Sequence, residues 1–355
     1  MDIDKIVHAP IFFKRNRVYR IYTGGKLFHD FFGDANEDTL FPEEWIASTV
    51  KTIKKNRPAN EGLSIVDGTD IIFADLVKEK KNEILGKDRD SFGILVKALD
   101  SAIRLPIQVH PDKPFSQKYF NSDYGKTESW VILAVRENPK IYFGFKDKIS
   151  HEDFLKLIDE SEKNPEAFTP YLNAVTPKVG DVFLIHAKMI HAIGAGCMIL
   201  EVQEPSDFTI QVEAWCVNYK VSDAEKYLGL EKETALECFD FDTYGDDATA
   251  KSRITPKVIF DKNGVKKESL ISYENTPCFA VNRYTLTNAK ITLEEAPAIY
   301  LVTQGSGQIE WNSGESKRNI SKGNYFLIPH CIKGQVSVSG NIEIAECLPP
   351  QELKK

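Results

Sequence analysis

The feature that most constrains this chain is the recurrence of short apolar runs set among Gly, Pro, Asn and Ser. Val182–Ile185, 198–202, 208–215, 298–303 and Tyr325–Ile328 are rich in β-branched and aromatic residues and too short for buried helices, so they are predicted strands. Helix signals are fewer. Ser150 and Ser222 each open a capping pattern ahead of an apolar-periodic stretch, and further helices are expected over 90–100 and 43–49. Many short strands with turns between them and a few helices read as a sandwich or barrel with helical insertions. Length adds to this: 355 residues exceed what one core usually serves, so two units are expected. The polar, acidic, turn-rich stretch 239–253 is the linker candidate, dividing the chain into 1–245 and 246–355. An echo crosses that division. Residues 178–186 (KVGDVFLIH) and 321–329 (SKGNYFLIP) are both a Gly-polar turn feeding a four-residue apolar run, as two barrels of one kind in tandem would give.

Composition then removes several classes of function. A net charge of −7 argues against a nucleic-acid surface. With 42% hydrophobic and 27% charged residues the chain is an ordinary globular mix. No apolar run approaches the roughly 20 residues a membrane-spanning helix needs, and the N-terminal residues show no secretory signal pattern. Six cysteines, at 197, 216, 238, 278, 331 and 347, form no CxxC pair, which fits free thiols in a reducing cytosol. A cytoplasmic protein is expected, with no membrane, nucleic-acid or protein partner readable from the sequence.

Of seven histidines, two stand in contexts suited to metal ligation. Gln108 and His110 are two apart on a predicted strand and so share one face of a sheet. Glu128 starts an apolar run at 130–135, and His191 follows Val182–Ile185 by one short loop. Two imidazoles, a carboxylate and an amide suit Zn²⁺ and leave a position open for water or substrate. Taken singly, each residue has a plainer reading: His110 before a proline as a turn or satisfied core group, Glu128 as a solvated carboxylate, Gln108 as a polar edge residue.

Together these residues carry a resemblance. Gln108-Val109-His110-Pro111-Asp112 with Gly125-Lys126-Thr127-Glu128-Ser129-Trp130 resembles the paired signature of type I phosphomannose isomerases (mannose-6-phosphate isomerases). Residues 190–196 (IHAIGAG) and 200–207 (LEVQEPSD) are similar to that family's third signature, and Pro42–Trp45 and 95–99 (LVKAL) to two weaker ones. The resemblance implies a mainly β fold of tandem cupin (jelly-roll) barrels with helical elements, the second barrel free of metal. It implies one Zn²⁺ per chain on Gln108, His110, Glu128 and His191, with Lys126 and Glu201 catalytic and Glu43 and Lys97 binding substrate. The implied reaction interconverts mannose 6-phosphate and fructose 6-phosphate through an enediol, so the expected partner is a small sugar phosphate.

Two positions depart from the family. Gln211 stands where the family has an arginine assigned a catalytic role, and Pro106 where it usually has a hydroxyl residue. Losing one charged donor typically costs about 10²- to 10³-fold in rate, and Arg104, close in sequence, is a candidate to compensate. Two alternatives stay open: an isomerase for a different sugar or sugar phosphate, and a non-catalytic cupin that keeps its metal.

Overall fold

The strand signals resolve into sheets whose central strands, such as Leu95–Ser101, Val182–Ile185 and Cys197–Gln203, are buried on both faces. The computed structural model describes residues 2–53 and 57–351. At the centre of a seven-stranded sheet, Cys197–Gln203 pairs antiparallel with Leu95–Ser101 on one side and Glu128–Val135 on the other. Glu43–Ile46 and Arg17–Val18 extend the sheet beyond Leu95–Ser101, while Val182–Ile185 and Arg253–Ile254 extend it beyond Glu128–Val135. A five-stranded sheet faces it, in the order Ile210–Gln211, Gln108–Val109, His191–Ile193, Ile141–Phe145, Leu172–Val175. Trp130, Ile132, Leu99, Ile199 and Phe183 from the first sheet share one buried cluster with Ile141, Phe143 and Ile193 from the second, closing the first barrel. Helices cover the outer face of the smaller sheet: Phe115 of Lys113–Phe120, Phe154 of His151–Ser161 and Leu236 of Lys232–Leu236 pack on Val109, Phe145 and Ile210.

An eight-stranded sheet forms the second barrel from residues 257–348, with one strand borrowed from the other end of the chain: Ile11–Phe12 pairs with Tyr325–Ile328. Its inner face buries Tyr300, Val302, Phe326, Ile328 and Val338. By alternation, Ile299, Leu301, Tyr325 and Leu327 point out. They meet Met198, Leu200, Val202 and Val96 from the outer face of the seven-stranded sheet, so the two barrels pack back to back. The molecule is mainly β with helical elements, as the strand signals imply.

Both halves of the sequence echo become a turn and strand. Gly180 (φ 90°) precedes Val182–Ile185, and Gly323 (φ 84°) precedes Tyr325–Ile328. Glycine is required at 323, because a Cβ there would lie 2.1 Å from the Phe31 carbonyl oxygen. Ser150 caps its helix by accepting from the Asp153 N–H, and Ser222 and Glu225 form a reciprocal capping box. Three expectations fail. The stretch 90–100 is not a helix; its second half is the strand Leu95–Ser101, buried along its whole length. Nor is 43–49 a helix, since Glu43–Ile46 is a fully buried strand. A strand covered on both faces loses its polar alternation, and the remaining apolar run carries no periodicity to separate it from a helix. The run 208–215 is interrupted, with strands only at Ile210–Gln211 and Trp215–Cys216. Within 239–253, Gly245–Ser252 is a helix with Asp246 and Asp247 in its first turn, where carboxylates suit the helix dipole. All six cysteines are free, and no helix among the described residues is long and apolar enough to cross a membrane.

Candidate metal centre and adjoining pocket

Strand register brings the candidate ligands together from opposite sheets. On the five-stranded sheet, His191 pairs directly with Gln108, and Gln108 with Gln211, giving one cross-strand row. Across the barrel, Glu128 opens its strand on the facing sheet. His110 Nε2 lies 3.2 Å from His191 Nε2 and 3.1 Å from Glu128 Oε2; His191 Nε2 lies 3.5 Å from Glu128 Oε1. The Gln108 amide nitrogen is 3.3 Å from His191 Nε2, and a half-turn of that amide presents its oxygen instead. His110, Glu128 and His191 together form a buried set able to hold one ion.

The protonation pattern tests whether a cation fits. Each Nδ1 is engaged by a backbone carbonyl, His110 with Phe208 O at 2.9 Å and His191 with Met189 O at 2.8 Å. Carbonyls only accept, so both Nδ1 atoms carry the proton and both Nε2 lone pairs are left facing one another. A proton does not relieve this: burial and then the Lys126 charge push the His110 pKa down to about 3. Glu128 Oε2 is buried beside them, 3.1 Å from His110 Nε2. The Lys126 ammonium rests against the same atoms, 2.7 Å from His110 Nε2 and 3.0 Å from Glu128 Oε2. Three converging lone-pair donors that attract a cation fit a divalent metal.

Beside the centre lies a cavity of about 730 Å³, lined among others by Gln108, Lys126, Glu201, Lys97, Glu43 and Gln211. Lys97 and Glu201 are cross-strand partners on adjacent strands, which places Nζ 3.0 Å from Oε1 with both side chains 3% exposed. Burial works against the Lys97 charge, but Glu201 and Glu43 beside it carry its pKa above the usual lysine value. Burial also pushes the Glu201 carboxyl up, with Lys97 pulling against it. Glu43 accepts from Arg20 Nε at 2.7 Å, Trp45 Nε1 at 2.7 Å and the Tyr22 hydroxyl. Burial alone would raise its pKa; Arg20 and Lys97 outweigh burial and hold the carboxyl well below the usual carboxylate range. Charges thus alternate along the wall: Glu201, Lys97, Glu43, Arg20, then Asp207 at 3.2 Å from Arg20.

Sequence reasoning missed Arg20, Tyr22 and Trp45. The signal was alternation: Val18, Arg20 and Tyr22 fall two apart on the continuation of one short strand, and Trp45 follows Glu43 by two. Arg104 does not face the pocket. It forks onto Glu213 at 2.8 and 2.9 Å and donates to the Pro165 carbonyl, away from the lining. Pro106 and Gln211 do line the cavity, and Gln211 Oε1 is buried without a hydrogen-bond partner.

Residues 34–134 match the model of the family described as phosphomannose isomerase type I, catalytic domain. A mannose-6-phosphate isomerase of Streptococcus mutans is 27% identical over 342 residues, spanning 94% of this chain and 96% of that protein. Mannose-6-phosphate isomerase ManA of Bacillus subtilis is 27% identical over 263 residues, 73% of this chain and 75% of its own. The crystal structure of the mannose 6-phosphate isomerase from Bacillus subtilis superimposes with a TM-score of 0.76 at 21% identity, covering 96% of this chain and 99% of that one. A putative mannosephosphate isomerase from Archaeoglobus fulgidus gives 0.72 at 19%, over 96% and 98%.

Proposed function

We propose that this chain, which is similar to type I phosphomannose isomerases over residues 34–134 and to a mannose-6-phosphate isomerase along 94% of its length, is a metal-dependent aldose–ketose isomerase interconverting mannose 6-phosphate and fructose 6-phosphate. One observation carries the reading: two tautomer-fixed imidazoles and a carboxylate converge at the wall of a cavity that also presents a lysine and a carboxylate, Lys126 and Glu201. Gln108, His110, Glu128 and His191 would hold the ion, and the mixed N/O donor set suits one Zn²⁺ per chain. When bound, such an ion supplies Lewis acidity that stabilises developing negative charge on oxygen without redox chemistry.

The chain's own residues would do the rest. Isomerisation moves a proton between C1 and C2 through an enediol and exchanges protons on the two oxygens. Glu201, whose carboxyl is raised by burial, suits the carbon-bound proton, since a base works best with its pKa nearer neutrality. Lys126 carries exchangeable protons at the edge of the centre and suits the oxygens. Glu43 and Lys97, held by their neighbours, would orient hydroxyls in the wall between. A coupled assay with mannose 6-phosphate on metal-analysed protein tests this: the expected result is turnover with about one ion per chain, abolished by chelator and restored by metal. Turnover untouched by complete metal removal would overturn it.

A second reading, selectivity for a different or unphosphorylated aldose, is favoured by the charge pairing. Arg20, Arg57, Lys97 and Lys126 line the cavity, and each is ion-paired to a carboxylate: Glu43, Glu61, Glu201 and Glu128. The arginine that would have added charge is Gln211. Gln211→Arg, whose side chain can extend into the cavity, is expected to raise kcat/KM for mannose 6-phosphate about tenfold or more. A panel of free and phosphorylated aldoses read before and after the substitution separates the two, since no change alongside a high wild-type rate on mannose 6-phosphate removes the second reading.

A further inference from the structure

Adjacent residues of the strand Glu43–Ile46 face opposite ways. Glu43 faces the pocket, and Glu44 faces the seam between the two barrels. Glu44 is fully buried there and accepts from the Asn16 N–H at 3.0 and 3.1 Å, from Arg17, and from the hydroxyl of Tyr325, a residue of the second barrel. The same N-terminal stretch runs from the second barrel's sheet at Ile11–Phe12, past this seam, to the pocket wall at Arg20 and Tyr22. Along the way Asn16 Nδ2 donates to the carbonyl of Trp45, whose indole N–H holds Glu43. Arg15 donates to the Gly323 carbonyl at 3.1 Å and lies over the Phe32 and Tyr325 rings.

We infer that Tyr325 and Glu44 are positioning residues for Glu43, so that the second barrel fixes one wall of the substrate pocket. Tyr325 does not line the pocket; it acts by anchoring the back of the strand whose front carries Glu43. The inference rests on the reading of Glu43 as a substrate-facing carboxylate, and its test has an arm that does not.

Tyr325→Phe removes one oxygen and keeps the ring against Phe13, Phe32 and Arg15. Arg318→Ala is the comparison: it deletes another contact of the second barrel with the N-terminal half of the chain, Arg318 with Asp67, together with its stacking on the Phe12 ring, and neither leads to Glu44. In the metal-loaded protein without substrate, backbone hydrogen exchange over residues 43–46 should quicken at least tenfold in Tyr325→Phe and stay as in wild type in Arg318→Ala. With substrate, KM should rise about five- to tenfold in Tyr325→Phe with kcat within twofold and metal content unchanged. Unchanged exchange at 43–46, equal quickening in both variants, or a lowered melting temperature with KM intact would overturn the inference. If wild type fails to turn over mannose 6-phosphate, the functional reading falls, and the exchange arm still decides the anchoring.

Discussion

His191→Ala should leave a protein that folds, binds no stoichiometric metal and turns over mannose 6-phosphate at least about 10³-fold more slowly, the order expected when an ion worth several kcal/mol is lost. His191 is the residue to remove because it bridges the donors: its Nε2 lies within 3.5 Å of Gln108, His110 and Glu128, and its ring sits edge-on to Trp130 at 5.7 Å. Alanine deletes one ligand and adds no charge to the interior. Elemental analysis of the purified variant and the coupled assay read the result together. Wild-type metal content with a wild-type rate would place the reaction elsewhere in the molecule.

The second large effect concerns Lys97 and Glu201. Opposite charges that are 3% exposed are tolerated only as a pair, and deleting one partner from a buried pair typically costs about 3–5 kcal/mol. Glu201→Leu is therefore expected to lower the melting temperature markedly and to abolish turnover, because it strands Lys97 and removes the proposed base at once. Lys97→Met with Glu201→Leu should regain a large part of the lost stability, since an apolar pair of similar volume removes the desolvation penalty. It should regain no activity. Thermal unfolding of both single variants and the double variant, with assays on each, checks this; single variants as stable and active as wild type would show that the pair matters for neither folding nor chemistry.

Much of the site could be read before the fold was known, and the reasons are local. Gln108 and His110 share a predicted strand face, and Glu201 interrupts an apolar strand where an unpaired carboxylate would be costly. What brings His191 to Gln108 is sheet register over 83 residues, which no spacing rule reports. Arg20 stayed hidden because the strand just before it, Arg17–Val18, is two residues long and leaves almost no pattern. The mistaken helix at 90–100 has the opposite cause: Leu95–Ser101 is so thoroughly covered that its alternation vanishes, and Lys97 reads as a lone charge in an apolar run until Glu201 appears beside it. Arg104 shows the limit of nearness in sequence, since four residues from Gln108 its guanidinium is committed to Glu213 on the far side of the strand.

The edge strand Ile11–Phe12, lent by the start of the chain to the sheet built from its end, has a consequence for how the protein is made. On the ribosome, the first dozen residues emerge long before their partner strand Tyr325–Ile328, a wait of roughly 15 seconds to a minute at ordinary elongation rates. Through that interval Arg20 and Glu43 have each other but lack the Tyr325 hydroxyl behind them. The strand that carries Glu43 and Glu44 therefore gains this backing contact only when translation is nearly finished.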